Sequence, residues 1–496
     1  MKWANFLHIY QPAGQQPDIL EAVVNQSYRP ILRGLTKHKK VRLTMNINGS
    51  LLELFDKYQY GDIIDMLREL IKEGRLELTT SAKFHALLPF LTEEEIFRQI
   101  ETNNETLHYY FDHGYRPIGF FPPEMAYDER LPKIVESMGF KWMILDEIAK
   151  SGKTGSVDYN KLYKIKGTDM LAFFRERRPS NLIMSAVVRS YESLKEAMHE
   201  DFASGRYLVT GMDGETFGHH RPGLENMLFE MFESKDFELV QVSDLMGIYK
   251  DIEEVSPVKS TWASSEEDVD RNVQFLSWKD PENEIHTWQW DLVNLSLKSV
   301  YALDKNHILF GEIRSRMDAA LASDHFWWAS AKPWWSLEEI ERGAYICLDI
   351  VRRIPNVDAS SVERARDLYE KIVSTAFEWK RSGKIYEIAK ERQGVLRIPF
   401  KERTFEAGGV ERGVYEGFMA MFGELEKKAV ARQEYEKAIM WRDAIYKIEN
   451  KNDIYDTIHA VELLRLEIPN EEVEKILDKY TEKYKKIRGG QPEQRG

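Results

Sequence analysis

The sequence predicts an α/β fold: a closed or nearly closed β/α barrel of about seven strand–helix units, followed by a mainly helical C-terminal domain. Three observations predict it. Residues 1 to about 245 alternate between short apolar runs and amphipathic helical stretches, the pattern of a parallel sheet covered by helices. From residue 256 that alternation fades and tryptophan becomes dense. From residue 336 onward the chain reads as helical. Periodicity does not report closure, so an open doubly wound sheet stays as the alternative.

The elements follow in order. Apolar runs at residues 3–8, 41–47, 76–81, 118–121, 142–145, 182–187 and 207–209 read as strands, with a further run at 239–242. Between them, residues 62–72 place Ile63, Ile64, Leu67, Leu70 and Ile71 on one helical face and stop at Gly74. Thr92 and Glu95 form a capping box for a helix carrying Ile96, Ile100, Leu107 and Phe111. Residues 128–138 carry Leu131, Ile134, Val135 and Met138, and end at Gly139. The next segment holds Trp262, Trp278, Trp288, Trp290, Trp327, Trp328, Trp334 and Trp335. Trp288 and Trp290 alternate in strand fashion, and the segment is expected to close over the barrel mouth. Ser336 and Glu339 form another capping box, residues 410–449 read as one or two long helices, and the helical pattern runs to about residue 485. The expected organisation is a barrel over 1–255, a Trp-rich closing segment over 256–335, a helical domain over 336–487 and a disordered polar tail over 488–496.

Composition narrows the function classes. A chain of 496 residues can bury one large core and a second domain. Its net charge of -13 argues against a nucleic-acid groove, which needs clustered Lys and Arg. Aromatic residues make up 12% of the chain; most would fill cores, and some could stack on sugar rings. The single Cys347 excludes an intramolecular disulfide and a Cys-based zinc cluster, and its helical surroundings suggest a buried, inert thiol. No apolar stretch approaches membrane-spanning length, and residues 1–8 lack the features of a signal peptide. The expected compartment is the cytoplasm, and the Glu/Lys-rich, Cys-poor composition is compatible with a thermophilic source.

Two acids carry most of the chemical signal. Glu124 stands in Phe121-Pro122-Pro123-Glu124-Met125-Ala126-Tyr127, and Asp213 in Gly211-Met212-Asp213-Gly214-Glu215-Thr216-Phe217-Gly218-His219-His220. Each follows an apolar run and is flanked by Gly or Pro, which turn the backbone sharply. An acid at the carboxyl end of a barrel strand sits on the face where such enzymes work, and two of them suffice to cleave a glycosidic bond. Other polar residues fall at equivalent places: His8 and Gln11 in His8-Ile9-Tyr10-Gln11-Pro12, Asn48, His85 and Asp146. Polar residues at successive strand ends converge if the sheet closes.

Competing chemistries find little support. The 12 histidines include no pair at i,i+3 or i,i+4, so a helical two-His metal site is absent. A carbohydrate deacetylase on a similar barrel would want an Asp-Asp strand end and a His-x-x-x-His motif, and neither occurs. Ser151-Gly152-Lys153-Thr154 lacks the first Gly of a phosphate loop, position 147 being Glu. No Gly-x-Gly-x-x-Gly follows the first strand.

Five motifs occur in order: His8-Ile9-Tyr10-Gln11-Pro12, Gly74-Arg75-Leu76-Glu77-Leu78 with His85, residues 121–127, residues 213–220, and Ser277-Trp278 with His286-Thr287-Trp288-Gln289-Trp290. The set resembles glycoside hydrolase family 57, the family of α-amylases, 4-α-glucanotransferases, branching enzymes and amylopullulanases. That resemblance implies an incomplete (β/α)7 barrel followed by a helical domain that contributes to the site. It implies Glu124 as nucleophile, Asp213 as general acid/base, and His8, His85 and Trp288 as substrate-subsite residues. Gln11, Tyr127, Asp146, Glu215, His219, His220, Trp278, His286 and Trp290 complete the candidate substrate-binding set. Two departures bear on the particular activity: Phe121-Pro122-Pro123 stands where the family often has Trp-Leu-Pro, and Ile9-Tyr10 interrupt its His-Gln-Pro.

The expected activity is a retaining one on α-glucans, with Glu124 attacking the anomeric carbon and Asp213 protonating the leaving oxygen. Retention calls for carboxyl groups about 5–6 Å apart. Asp213 then needs a raised pKa, which burial and the nearby Glu124 charge would supply. Glu215 either holds a hydrogen bond in the Asp213 loop or is exposed. The expected partner is an α-glucan or maltooligosaccharide, with no metal, no organic cofactor, no nucleic acid and no membrane; a homo-oligomer stays open. A non-catalytic carbohydrate-binding or regulatory barrel and a deacetylase-like enzyme are the alternatives.

Overall fold

The structure, a computed structural model, describes residues 1–112, 114–186, 188–332, 334–392, 412–450, 460–461, 463–464 and 467–487. The strands are β1 (Lys2–Ile9), β2 (Leu43–Ile47), β3 (Leu76–Thr79), β4 (Gly119–Phe120), β5 (Trp142–Asp146), β6 (Leu162–Ile165), β7 (Leu171–Arg175), β8 (Tyr207–Asp213), β9 (Glu238–Val240) and β10 (Ile252–Val255). Runs such as Trp3 to Ile9 and Trp142 to Asp146 are buried at every position, as strands covered on both faces must be.

Two sheets form. One has the order β3-β2-β1-β8 with β9 also paired to β1, and the other the order β10-β6-β7-β5-β4. Every pairing is parallel except β6 with β7. The sheets meet at two thin junctions. At one, the Thr80 N–H donates to the Gly119 carbonyl (3.0 Å) and the Phe121 N–H to the Thr80 carbonyl (2.9 Å). At the other, the Glu176 N–H donates to the Val209 carbonyl (2.8 Å). The circuit β1-β2-β3-β4-β5-β7-β8 therefore returns to β1 as an incomplete (β/α)7 barrel, and the open-sheet alternative falls away. All seven of its strands point the same way, so their carboxyl ends share one face.

Three local expectations need correction. Residues 182–184 belong to the helix Arg177–Met184, not to a strand, and the strand of that unit is β7. Leu182, Ile183 and Met184 make a run too short for periodicity to tell strand from helix. The two capping boxes are half-formed. Thr92 and Ser336 accept from the backbone N–H of Glu95 and Glu339, but neither glutamate reciprocates. The Glu95 carboxylate instead binds Arg314 (2.8 and 2.6 Å). Trp288 and Trp290 lie on the helix Glu284–Tyr301, where residues two apart point to different sides; Trp290 is buried and Trp288 half-buried.

The chain divides into compact units Met1–Ser382 and Gly383–Gly496. The helices Leu337–Arg353 and Ala359–Ser382, expected in a C-terminal domain, pack on Glu284–Tyr301 inside the first unit. Cys347 is buried there and its thiol is pushed up to about 12 by burial, so it is inert. The second unit contains the helices Lys384–Arg392, Arg412–Ala431, Tyr435–Asn450 and Asn470–Ile487, and a core that includes Phe418, Phe422, Trp441 and Leu464. The tail 488–496 and positions 410–411 lie outside the described residues. Among the described residues no helix is long and apolar enough to cross a membrane.

Candidate active site

A cavity of about 670 Å³ receives side chains from the carboxyl ends of β1, β4, β7 and β8. Its lining includes His8, Gln11, His85, Glu124, Arg175, Asp213 and Glu215 from the barrel, and Trp262, Trp278, Asp324, Trp327 and Trp328 from the Trp-rich segment.

Glu124 reaches the cavity through an unusual backbone. Strand β4 begins at Gly119, where a Cβ would lie 2.1 Å from the Trp142 ring, so only glycine lets the strand pass. After the Pro122-Pro123 turn, Glu124 (φ 60°) and Met125 (φ 49°) both take the left-handed conformation. Such residues cost roughly 1–3 kcal/mol each and persist where the surroundings hold them. Here the Met125 N–H donates to the Pro122 carbonyl (2.8 Å), the Ala126 N–H to the Pro123 carbonyl (3.0 Å) and the Trp262 N–H to the Glu124 carbonyl (3.2 Å). The Trp262 indole Nε1–H donates to Glu124 Oε2 at 2.7 Å, so one residue holds both ends of Glu124. Asp213 ends β8, and its carboxyl takes no hydrogen bond from the described residues.

A wall of rings stands beside the acids. His85 (φ 57°) stacks against both Tyr10, with centroids 4.3 Å apart, and His8, at 5.0 Å. Its Nδ1 lies 3.0 Å from Ser323 Oγ and 3.8 Å from Glu124 Oε1. Its Nε2 is buried and has no hydrogen-bond partner among the described residues. His8 Nδ1 is 2.8 Å from Asn46 Oδ1, an acceptor, which assigns the proton to Nδ1 and leaves Nε2 to accept. Burial pushes His8 down to about 4 and His85 well below the ordinary range, so both rings are neutral.

The carboxyls are perturbed the other way. Burial first, then the Asp213 charge and last Asp324, push Glu124 up to about 8 against the opposing Trp262 hydrogen bond. Burial pushes Asp213 up to about 6, with the Arg175 charge opposing it. Burial and the neighbouring Asp213 push Glu215 up to about 7, and burial pushes Asp324 up to about 6. Like charges in one buried site disfavour ionising both acids, and the larger upward shift at Glu124 favours the proton there at neutral pH.

Not every expected residue reaches the cavity. Gln11 and Glu215 do, and they meet: Gln11 Nε2 donates to Glu215 Oε1 at 3.1 Å. Glu215 is buried rather than exposed. His220 lies at the cavity rim, whereas His219 turns away to Gln26 (Nδ1 to Oε1, 2.8 Å). Asp146 is fully buried and serves Arg175 (2.8 Å) and Arg177 (2.6 Å), so it positions an arginine instead of facing a ligand. Tyr127 is buried beside Ser260, to whose carbonyl its N–H donates (2.9 Å). His286 is buried between the Asp280 N–H and the Phe326 carbonyl, and Trp290 stacks on Phe326 at 4.2 Å. Neither these two nor Trp288 is among the lining residues.

Tyr10, Arg175, Trp262, Asp324, Trp327 and Trp328 were missing from the expected set. Arg175 ends an apolar strand, the same signal that marked His8 and Asp213; the misplaced strand at 182–187 hid it. Asp324 gave no local signal, since it is drawn to the barrel by a residue far away in sequence, Tyr10, whose hydroxyl donates to it at 2.7 Å. Among the described residues no group of three or more His, Cys, Asp or Glu could hold a metal ion.

Against known proteins, the family model described as Glycosyl hydrolase family 57 matches residues 6–258, just over half of the chain. The chain belongs to glycosyl hydrolase family 57. An α-amylase of Pyrococcus horikoshii is 25% identical over 235 residues, 47% of this chain and 36% of that protein. A 4-α-glucanotransferase of Thermococcus litoralis is 26% identical over 243 residues, 48% of this chain and 36% of that protein. The chain thus spans about a third of the length of these curated relatives. The crystal structure of the Thermococcus litoralis 4-α-glucanotransferase aligns with a TM-score of 0.57 at 18% identity, covering 72% of this chain and 60% of that one. A family 57 branching enzyme of Thermococcus kodakaraensis aligns with a TM-score of 0.58 at 17% identity, covering 74% and 94%. At these identities the alignments establish the shared fold.

Proposed function

We propose that the protein is a retaining α-glucan-active enzyme, a hydrolase or transglycosylase that works through a glycosyl-enzyme intermediate on Glu124. The observation that carries this reading is the convergence of Glu124 and Asp213, from separate strand ends, on one cavity walled by tryptophans. Glu124 attacks the anomeric carbon with Oε1, while Trp262 holds Oε2. The Asp213 carboxyl, unengaged by the described residues, gives its proton to the leaving oxygen and then takes one from the incoming water or sugar hydroxyl. Neutral His8 and His85 present nitrogen atoms to sugar hydroxyls.

This reaction starts with the pair's single proton on Asp213 and the charge on Glu124. A sugar hydroxyl donating to Glu124, and a leaving oxygen accepting from Asp213, both favour that tautomer over the one preferred without them. The partner would be an α-glucan or maltooligosaccharide and the compartment the cytoplasm. The Trp-rich segment would close over the barrel mouth, with Trp262, Trp278, Trp327 and Trp328 lining the cavity.

A second assignment, with Glu124 as acid and Asp213 as nucleophile, is favoured by the preference of the proton for Glu124. Trapping the intermediate with a fluorinated α-glucosyl substrate, followed by peptide mapping, separates the two. An adduct on Glu124 supports the proposed roles, one on Asp213 the exchanged roles, and no turnover of any maltooligosaccharide refutes both. In the same incubation, shorter products alone mean hydrolysis and longer ones mean transfer.

A further inference from the structure

The segment Val24–Tyr28 is a single π-helical turn set between the helices Pro17–Val23 and Arg29–Lys37. Such turns interrupt a helix at some cost and concentrate at functional sites. Its last three residues all grip the loop that follows Asp213. The Ser27 hydroxyl donates to the Gly214 carbonyl at 2.8 Å, and both partners are buried. The Tyr28 hydroxyl donates to Glu215 Oε1. Gln26 Oε1 meets His219 Nδ1 at 2.8 Å. The Gln26 carbonyl also packs against Gly218 (φ 102°), where a Cβ would stand 1.9 Å from that oxygen. Four contacts from three consecutive residues cover the loop from Gly214 to His219.

We propose that this π-turn is a clamp on the loop of the catalytic acid, and that Tyr28 is a positioning residue acting on Asp213 through Glu215. The inference rests on the assignment of Asp213 as acid/base made above. Ser27 fixes the backbone just beyond Asp213, and Tyr28 fixes the carboxylate two residues on. A hydroxyl that donates to Glu215 favours its ionised form, and a charge there disfavours a second charge on Asp213. The clamp thereby favours the reactive tautomer, with the proton on Asp213, over the one with both Asp213 and Glu215 charged. Burial raises the Tyr28 hydroxyl well above its ordinary value, so it remains a donor throughout the working pH range. The other groups facing this pair are Gln11 from the end of β1, Glu124 beyond β4, Arg175 from β7, His220 on the same loop, and Asp324 across the cavity. Of these, Arg175 opposes the effect by favouring the charged Asp213.

The test uses the full chain with maltoheptaose. Tyr28→Phe keeps the ring in its buried slot and removes only the hydroxyl. Without that donor to its carboxylate, Glu215 should ionise about one pH unit higher. The acidic limb of the kcat/KM profile should then move to higher pH by about that amount. Near pH 6 kcat/KM falls about tenfold, and the deficit shrinks as pH rises. Ser27→Ala frees the Gly214 carbonyl without touching a titratable group, and should lower kcat while leaving the limb and KM in place. Thermal melting of both variants checks folding. An unmoved acidic limb in folded Tyr28→Phe, or wild-type kcat in Ser27→Ala, overturns the clamp. Asp213→Asn tests the underlying assignment separately: if it retains more than about a tenth of wild-type activity, the acid/base reading fails and not merely the clamp.

Discussion

Replacing Trp262 by Phe keeps most of the ring and removes the indole N–H that donates to Glu124 Oε2 at 2.7 Å. A hydrogen bond to a charged group contributes roughly 1.5–3 kcal/mol, and about 1.4 kcal/mol corresponds to one pH unit, so Glu124 should rise by about 1–2 units. The direction is set because the lost bond favoured the carboxylate. Glu124 already stands near 8 and Asp213 near 6. The reactive form, with Glu124 charged and Asp213 protonated, is thus the minor tautomer of the one-proton state. Raising Glu124 further makes it rarer by the same factor, so the kcat/KM plateau should fall about 10–100-fold. The upper macroscopic pKa belongs to loss of that shared proton, and the basic limb should move up by about 1–2 units, while the acidic limb stays. Initial rates on maltoheptaose from pH 4 to 10, with melting curves as a folding control, read both quantities. A lower plateau with an unmoved basic limb would show that Trp262 acts only by packing. A moved limb with an unchanged plateau would mean that Glu124 is the acid, refuting its assignment as nucleophile.

Further predictions follow from the same geometry. Glu124→Gln should fold and keep less than about a tenth of wild-type kcat, because an amide cannot form the ester. It should also melt higher by roughly a few degrees. A carboxyl raised from 4.5 to about 8 binds more protons folded than unfolded, so its cost to stability grows as pH rises across that window, and the melting difference should widen from pH 5 to 8. A difference that is flat with pH would contradict the buried, perturbed state of Glu124. Asp146→Ala leaves Arg175 and Arg177 without their buried carboxylate, and should cost about 3–5 kcal/mol in denaturant unfolding. A loss under about 1 kcal/mol would return Asp146 to the candidate ligand-binding residues. Proton NMR of the first product from an α-linked substrate should show the α-anomer before mutarotation, and an initial β-anomer would overturn the double displacement.

The sequence alone determined the strand–helix alternation, the residues at most strand ends and therefore the two acids. Those signals are local: an apolar run, a Gly or Pro stop, and a polar residue beside it. They located His8, His85, Glu124 and Asp213, whose convergence needs only that parallel strands close. Where the local signal was too short, it failed, as at Leu182 to Met184, and the error concealed Arg175 at the end of the true strand. Only the tertiary structure decided what faces the cavity. Asp146 ends its strand as Asp213 does, yet two arginines draw it inward. Trp288 and Trp290 share a motif with Trp278, yet helical geometry leaves Trp278 alone of the three at the cavity. Trp262 reaches Glu124 from 138 positions further along the chain, and Asp324 reaches Tyr10 from 314. Contacts of that separation leave no trace in periodicity or spacing, because they depend on how finished elements pack and not on how any one of them forms.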